Sequence, residues 1–170
     1  MSGDQSAARA ILDRTRAEAD TAVQEVRQVL EALGPSGLEH CHLAVAITQA
    51  AERLGFDGVS GPRFECVSAE ISPLPQEVEV TAYRITGEAL HNVVQHANAT
   101  RCDVLLTHEA GVLELRISDD GIGLVDPRPH GVGLESMRRR ARAVGGSCLI
   151  SSRPAAGTVV RVRLPLGTTS

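Results

Sequence analysis

Glu88 and Asn92 are the first side chains in this sequence whose types and spacing suggest chemistry. They lie four residues apart in a stretch, Glu77 to His96, whose hydrophobic pattern predicts a helix, so they are stacked neighbours on one flank. That flank borders the apolar arc of the helix, where an acid and an amide can offer oxygen ligands to a hard cation such as Mg²⁺. His96, one turn further on, is predicted on the same flank. The other interpretation is a solvated glutamate with an amide partner, as at most helix borders.

A second candidate site is the segment Asp119-Asp120-Gly121-Ile122-Gly123, which directly follows a predicted strand. A carboxylate buried at the end of a strand, here that of Asp119, can accept a hydrogen bond from an exocyclic amine. The glycines that follow it allow a planar base to approach the backbone closely. Taken alone, the segment is also compatible with an ordinary Asp-Gly turn.

A third candidate is Gly131-Val132-Gly133-Leu134, at the start of a predicted helix. Backbone N–H groups at a helix N-terminus point towards an anion, and the helix dipole favours negative charge there. All 17 basic residues of the chain are arginines, so a phosphate must be held by backbone amides, arginine, histidine or a metal rather than by a P-loop lysine. The segment is not a dinucleotide fingerprint, because the glycine pattern fails at Ser136 and no strand immediately precedes it.

The elements that would position these residues alternate between helices and strands, which predicts a two-layer α/β domain. Residues 5–33 contain neither glycine nor proline and repeat an apolar residue every seven positions, which predicts a helix with a narrow apolar seam. Gly34 to Gly37 break the chain, so we expect a helical arm over residues 1–36 and a domain over residues 37–170. The domain is predicted to contain helices at Leu38–Leu54, Glu77–His96 and Leu134–Val144 and strands at Phe64–Val67, Arg101–Thr107, Val112–Ser118, Ser147–Ser151 and Thr158–Leu164.

Composition and charge exclude several classes of function. A net charge of −4 and 2% aromatic residues argue against nucleic acid or anionic membranes as partners, so Arg138 to Arg142 are predicted to form a solvated helix face. The four cysteines have no Cys-x-x-Cys spacing and are predicted to be small buried hydrophobes. No apolar run is long enough to span a membrane and the start is polar, so we expect a cytoplasmic segment without membrane contact. Whether the full-length protein is membrane-anchored stays open.

Together, the three segments resemble the ATP-binding domain shared by gyrase, the heat-shock ATPase, histidine kinases and MutL. The stretch Arg84 to Ala97 is similar to the N box of that family, and Asp119 to Gly123 to its first glycine box. Gly131 to Leu134 resemble its second glycine box, and Gly157-Thr158 its last. The resemblance covers about residues 38–166 and implies a Bergerat-type fold: a mixed sheet covered by helices on one face, with the helical arm in front.

The subgroup that this chain resembles most is that of sensor histidine kinases partnered with NarL/LuxR-type response regulators. The motif Glu-Ala-Leu-x-Asn-x-x-x-His-Ala is typical of that subgroup. The stretch between the two glycine boxes, Leu124 to His130, is as short as the abbreviated ATP lids of the subgroup. Residues 11–33 resemble the second helix of its dimerisation hairpin. The resemblance therefore implies a two-component signalling transferase, homodimeric as a full-length kinase, that relays phosphate to such a regulator.

At the phosphates, the resemblance implies ATP and Mg²⁺ as ligands. Asn92 would ligate the metal that bridges the phosphates, and Glu88 would lie beside it and orient metal or water. His96 would touch phosphate. Gln95 stands where many relatives have lysine, so one usual phosphate contact is missing or replaced, and His130 is a candidate substitute.

At the base, the resemblance implies that Asp119 reads the amino group of adenine. Gly121 and Gly123 would line the base pocket, and Thr158 would lie near the aspartate. The residues that would cover the phosphates, where the lid ends and a helix begins, are Gly131, Val132, Gly133 and Leu134.

The most important departure from the family is an absence: no histidine precedes His40, so the phosphoacceptor of the first dimerisation helix has no counterpart. We therefore expect the C-terminal part of a kinase, truncated or naturally short, that binds ATP without autophosphorylation. The alternative is an anti-sigma-factor serine kinase, which resembles the same fold but has no obvious place for the helical arm. A non-enzymatic interaction module is disfavoured because Glu88, Asn92, Asp119 and both glycine boxes are present.

Overall fold

Five strands form one mixed sheet in the computed structural model, which describes residues 43–69, 73–124, 132–152 and 156–167. Their order across the sheet is β1-β2-β3-β5-β4. The first pair is parallel and the other three pairs are antiparallel. The mixed sheet expected from the resemblance is therefore confirmed. The strands are β1 Arg63–Ser68, β2 Arg101–Glu109, β3 Val112–Asp119, β4 Ser147–Ser152 and β5 Thr158–Pro165.

The helices of the described ranges are α1 Leu43–Arg53, α2 Gln76–Asn92 and α3 Val132–Ala143, and a π-helical turn at Val93–Ala97 extends α2. All the described residues belong to one compact unit, in which α1 packs on α2 and β1, and α3 packs on α2, β4 and β5. None of these helices is long and apolar enough to cross a membrane. The predicted arm over residues 1–36 and its boundary lie outside the described residues and stay predictions.

Strict alternation of hydrophobic and polar residues explains why the described helices cover one side of the sheet. In β3, Leu113, Leu115 and Ile117 are buried under the helices, whereas Glu114 and Arg116 are exposed on the other face. This is the period of two that a half-buried strand requires. The core is aliphatic, as the composition predicts, and the aromatic rings of Phe56 and Phe64 meet edge to face with centroids 5.6 Å apart at the α1–β1 end.

The predicted helix over Glu77–His96 differs from the observed one in its last turn. The segment is α-helical to Asn92 and then π-helical, and Asn98 follows in the left-handed conformation at φ 48°. Hydrophobic periodicity cannot distinguish the two helix types over a single turn. Several other boundaries move by one or two residues: for example, β2 continues to Glu109, β3 ends at Asp119 rather than Ser118, and α3 begins at Val132 rather than Leu134.

The cysteines of the described residues are free thiols. Cys102 is fully buried, as predicted, and burial raises its pKa to about 12. Cys66 and Cys148 are half-buried, and burial raises the pKa of Cys66 and brings that of Cys148 to about 11. Thiols with such pKa values are poor nucleophiles at neutral pH. They act as small hydrophobes, and Cys41 lies outside the described residues.

Leu115→Ala should cost about 2–5 kcal/mol in the free energy of unfolding, because Leu115 is 1% exposed at the centre of β3 and its removal leaves a cavity. Leu149→Ala, in β4 but 62% exposed, is the matched control and should cost less than about 1 kcal/mol. Urea denaturation of the two variants measures the difference. Equal losses would contradict this assignment of the buried face.

Candidate functional site

Glu88 is a buried carboxylate on the face of α2 that meets α3. Its exposed fraction is 9%, although the sequence predicts only a border position. A β-carbon built on Gly133, in the first turn of α3, would collide with Glu88 Oε1. Only a residue without a side chain therefore lets the start of α3 lie directly against this carboxylate. The structure thus brings together Glu88 and Gly133, which are 45 positions apart in the sequence.

Asn92 is the last residue of α2 and is half-buried, one turn beyond Glu88. The four-residue spacing is α-helical up to this point, so the acid and the amide are neighbours on one flank, as the sequence predicts. Beyond Asn92 the backbone is π-helical, and a π-helix bonds residue i to residue i+5 rather than i+4. The side chain of His96, four residues beyond Asn92, is exposed. Its contact with a phosphate stays a prediction.

Asp119 ends β3 with a half-buried side chain. Its Oδ1 accepts a hydrogen bond of 2.9 Å from the backbone N–H of Gly121. Burial raises the pKa of this carboxyl group, and N–H groups of Gly121 and Thr158 offset part of the effect. A partly desolvated carboxylate of this kind gains from a hydrogen-bond donor, so the position suits recognition of an amine.

At Gly121, backbone hydrogen bonds join three elements of the fold. Its carbonyl oxygen accepts a hydrogen bond of 2.8 Å from Gly157 N–H, just before β5, and the N–H of Ile122 donates to the carbonyl of Ala97 over 2.8 Å. A β-carbon on Gly121 would collide with that same carbonyl of Ala97. The end of the π-helical turn, the end of β3 and the start of β5 therefore meet with no room for a side chain.

Asp120 is a residue whose role the sequence analysis missed. Its Oδ1 accepts hydrogen bonds of 2.8 Å from the N–H groups of Thr100 and Arg101, and its Oδ2 accepts one of 2.6 Å from the Thr100 hydroxyl. The Thr100 hydroxyl is the main reason that the pKa of Asp120 is lowered. Asp120 thus holds the start of β2 against the turn that follows β3. The residue types alone carry no signal that separates it from Asp119.

Ser152 is a second such residue, at the end of β4. Its hydroxyl accepts a hydrogen bond of 2.7 Å from Leu124 N–H and donates one of 3.0 Å to the carbonyl of Gly157. It therefore fixes the chain as it leaves Gly123, which has φ 74°. Of the other predicted site residues, Thr158 opens β5 beside Asp119 and Leu134 lies in the first turn of α3. His130, Gly131 and the side chain of Val132 lie outside the described residues.

Gly121→Ala should lower the unfolding free energy by about 1–3 kcal/mol, because the added methyl group meets the backbone of Ala97 rather than a side chain that can move. Gly87→Ala is the matched control, since its β-carbon would meet nothing within 4 Å in the middle of α2. There the exchange should leave stability unchanged or raise it by about 0.5–1 kcal/mol. Thermal and urea unfolding measure both, and a neutral Gly121→Ala would contradict the close packing.

Asp119→Asn and Asp120→Asn should change stability with opposite dependence on pH. The lowered pKa of Asp120 means that its ionised form stabilises the fold above the unfolded-state pKa and that this contribution is lost as pH falls through the folded-state pKa. The raised pKa of Asp119 means that its contribution is present below the unfolded-state pKa and is lost as pH rises through the folded-state pKa.

At pH 7, Asp120→Asn should therefore lower Tm by about 2–4 °C, whereas Asp119→Asn should leave Tm equal or higher. Melting curves between pH 3 and pH 7 test this, and the gap between Asp120→Asn and the parent should close towards acid pH. The same sign of change for both variants at pH 7 would contradict the two environments.

Two curated sensor kinases are similar to this chain in sequence. The sensor histidine kinase YxjM of Bacillus subtilis is 34% identical over 152 residues, which are 87% of this chain and 36% of that protein. The sensor protein VraS of Staphylococcus haemolyticus is 39% identical over 95 residues, 55% of this chain and 27% of that protein. This chain thus spans about a third of the length of the curated relatives that it matches.

Solved structures show the same fold. The blue-light activated histidine kinase of Erythrobacter litoralis EL346 superposes with a TM-score of 0.69 at 17% identity, over 90% of this chain and 51% of that one. Its histidine kinase domain gives a TM-score of 0.62 at 20% identity, over 73% and 61%. The model of one family matches residues 77–168, a range that holds α2 from its second residue onward, the Gly121 turn, α3 and the last strand. By this match the chain belongs to the histidine kinase-, DNA gyrase B- and HSP90-like ATPases.

Proposed function

We propose that this chain is the ATP-binding catalytic domain of a sensor histidine kinase, which transfers the γ-phosphoryl group of ATP to a histidine outside this chain. The observation that carries the proposal is the pairing of two carboxylates with glycine-rich backbone. Glu88 lies against the start of α3 at Gly133, and Asp119 is held at the Gly121 turn. The family membership and the sensor-kinase names of the relatives support the same function.

The donor atoms present are suited to the Mg²⁺ ion that such a site requires. Glu88 is a buried carboxylate and Asn92 a half-buried amide one turn away, and both supply the hard oxygen atoms that Mg²⁺ prefers. Within the described ranges no group of three or more His, Cys, Asp or Glu side chains could hold a metal ion. Mg²⁺ commonly uses one or two protein ligands together with water and substrate phosphates, so this small donor set is suitable. When bound, the metal would neutralise part of the negative charge of the phosphates.

The nucleotide would lie between α2 and the sheet, with its base at Asp119 and its phosphates towards α3. Asp119 would accept a hydrogen bond from the amino group of adenine, beside Thr158, and Gly121 and Gly123 would line the base. The N-terminus of α3, from Gly131 to Leu134, would direct N–H groups and the positive end of the helix dipole at the phosphates. His96 would be a further contact to the phosphates.

Phosphoryl transfer depends mainly on position and charge stabilisation, so the chain needs no nucleophile of its own. Asn92 and Glu88 would fix the phosphates through the metal, and Glu88 would orient metal or water. Residues 1–39 contain no histidine, so the phosphate is handed to an acceptor on another helix. The chain alone would therefore bind ATP without autophosphorylation.

The partners belong to the same proposal. The spacing of Glu88, Asn92 and His96 within their motif and the short stretch after Leu124 support a NarL/LuxR-type response regulator as the recipient of the phosphate. The full-length kinase would be a homodimer at the membrane or in the cytoplasm. The anti-sigma-factor serine kinase is the less favoured alternative, since the relatives reported above carry sensor-kinase names.

Calorimetric titration of the chain with ADP and Mg²⁺ tests the proposal. We expect one site, weakened about tenfold or more by Asp119→Asn and by Asn92→Ala, because each change removes a hydrogen bond or ligand to a charged or desolvated group. Asp103→Asn removes an exposed carboxylate that pairs with Arg101 and is the matched control; it should change the affinity less than twofold. A folded chain that binds no nucleotide, or three variants that bind alike, would refute the proposed site.

A further inference from the structure

The face of the sheet that no described helix covers carries a continuous row of exposed side chains. The register places one residue of every strand in this cross-strand row, which runs Val67, Leu105, Arg116, Arg161 and Leu149 in strand order β1-β2-β3-β5-β4. The apolar members are 49%, 39% and 62% exposed, for Val67, Leu105 and Leu149 respectively. Two arginines thus lie between apolar residues on both sides.

Arg116 and Arg161 face each other directly across the antiparallel β3–β5 pair. Within the described residues neither makes an ion pair, although other arginines of this face do. Arg163, two residues further along β5, pairs with Glu114 at 2.8 Å. Like charges directly opposite each other destabilise a sheet, so the pair carries a cost that bound carboxylates would relieve.

A shallow concavity of about 230 Å³ lies at the apolar end of the row, between β1 and β2. Val67 and Leu105 line it, and Glu65, Arg101 and Asp103 form its polar rim. It is on the opposite face of the sheet from Glu88 and Asp119. Its volume is suited to an apolar side chain of a partner rather than to a nucleotide.

We propose that the cross-strand row docks an acidic amphipathic helix of a partner protein. Two carboxylates of that helix would lie on Arg116 and Arg161, and its apolar side chains would cover the flanking residues of the row. The charges favour this partner over nucleic acid or a lipid surface. Glu65 and Asp103 lie opposite each other in the neighbouring cross-strand row. The phosphates of a nucleic acid or a lipid surface would extend over these two carboxylates and be repelled by them. A helix with two central negative charges would contact only the arginines.

The dimensions of a helix suit the row. Neighbouring strands are about 4.8 Å apart, so five strands place the ends of the row about 19 Å apart. One helical turn rises about 5.4 Å, and side chains four positions apart are about 6 Å apart. A helix of roughly 16 residues that crosses the strands can therefore present an apolar residue, two glutamates and two more apolar residues to successive strands. These five residues follow each other at alternating four- and three-residue intervals and span about 21 Å.

A synthetic peptide tests the proposal. The probe is a fluorescent helical peptide of about 16 residues with leucine, glutamate, glutamate, leucine and leucine at alternating four- and three-residue intervals and alanine or glutamine elsewhere. Anisotropy titration of the full chain should show saturable binding. Arg116→Ala and Arg161→Ala should each weaken it at least about tenfold, because each removes a charge partner at the centre of the contact. Arg163→Ala, the matched control, should weaken it less than about threefold, since Glu114 already occupies Arg163.

Two further peptides and one measurement complete the test. Exchange of the glutamates for glutamine, or of the leucines for serine, should each weaken binding about tenfold. Equal binding of the glutamine peptide, or equal loss with Arg163→Ala, would overturn the proposal. So would dimerisation of the chain, by sedimentation, that Arg161→Ala abolishes, because a second copy would then be the occupant. ADP affinity should be unchanged in all three arginine variants, which separates failure here from failure of the nucleotide site.

Discussion

The contact between the Gly121 turn and the backbone of Ala97 is the constraint on which the proposed site depends. At this point the end of α2's π-helical extension, the end of β3 and the start of β5 are joined by backbone hydrogen bonds of 2.8 Å. No β-carbon fits between them. Because Asp119 and Thr158 flank this junction, their positions follow from backbone packing rather than from flexible side chains. Asp120 stabilises the junction further, because its carboxylate accepts hydrogen bonds from the backbone N–H groups of Thr100 and Arg101 at the start of β2.

The second constraint is the approach of α3 to the carboxylate of Glu88. The carboxylate of Glu88 is only 9% exposed, so the packing of α2 against α3 fixes its position. At the other end of the site, burial raises the pKa of Asp119. Desolvation therefore makes the ionised form of Asp119 costly, and a hydrogen-bond donor at this position would lower that cost.

Much of this arrangement can be predicted from the sequence, and what cannot be has physical reasons. The alternation in β3 and β5 fixes their buried faces, and the spacing of Glu88 and Asn92 fixes their common flank. The π-helical turn cannot be predicted in this way, because the hydrophobic pattern of its five residues fits an α-helical turn as well as a π-helical one. The role of Asp120 depends on a tertiary contact with Thr100. That Arg116 and Arg161 lie opposite each other follows from the strand register, which cannot be predicted from local sequence patterns.

The most direct test of the account is a crystal structure of the chain with Mg²⁺ and a non-hydrolysable ATP analogue. We expect the adenine amino group within hydrogen-bond distance of Asp119, the metal on Asn92 with Glu88 beside it, and the phosphates at the N-terminus of α3. A nucleotide bound elsewhere, for example in the concavity between β1 and β2, or a base that does not contact Asp119, would contradict it.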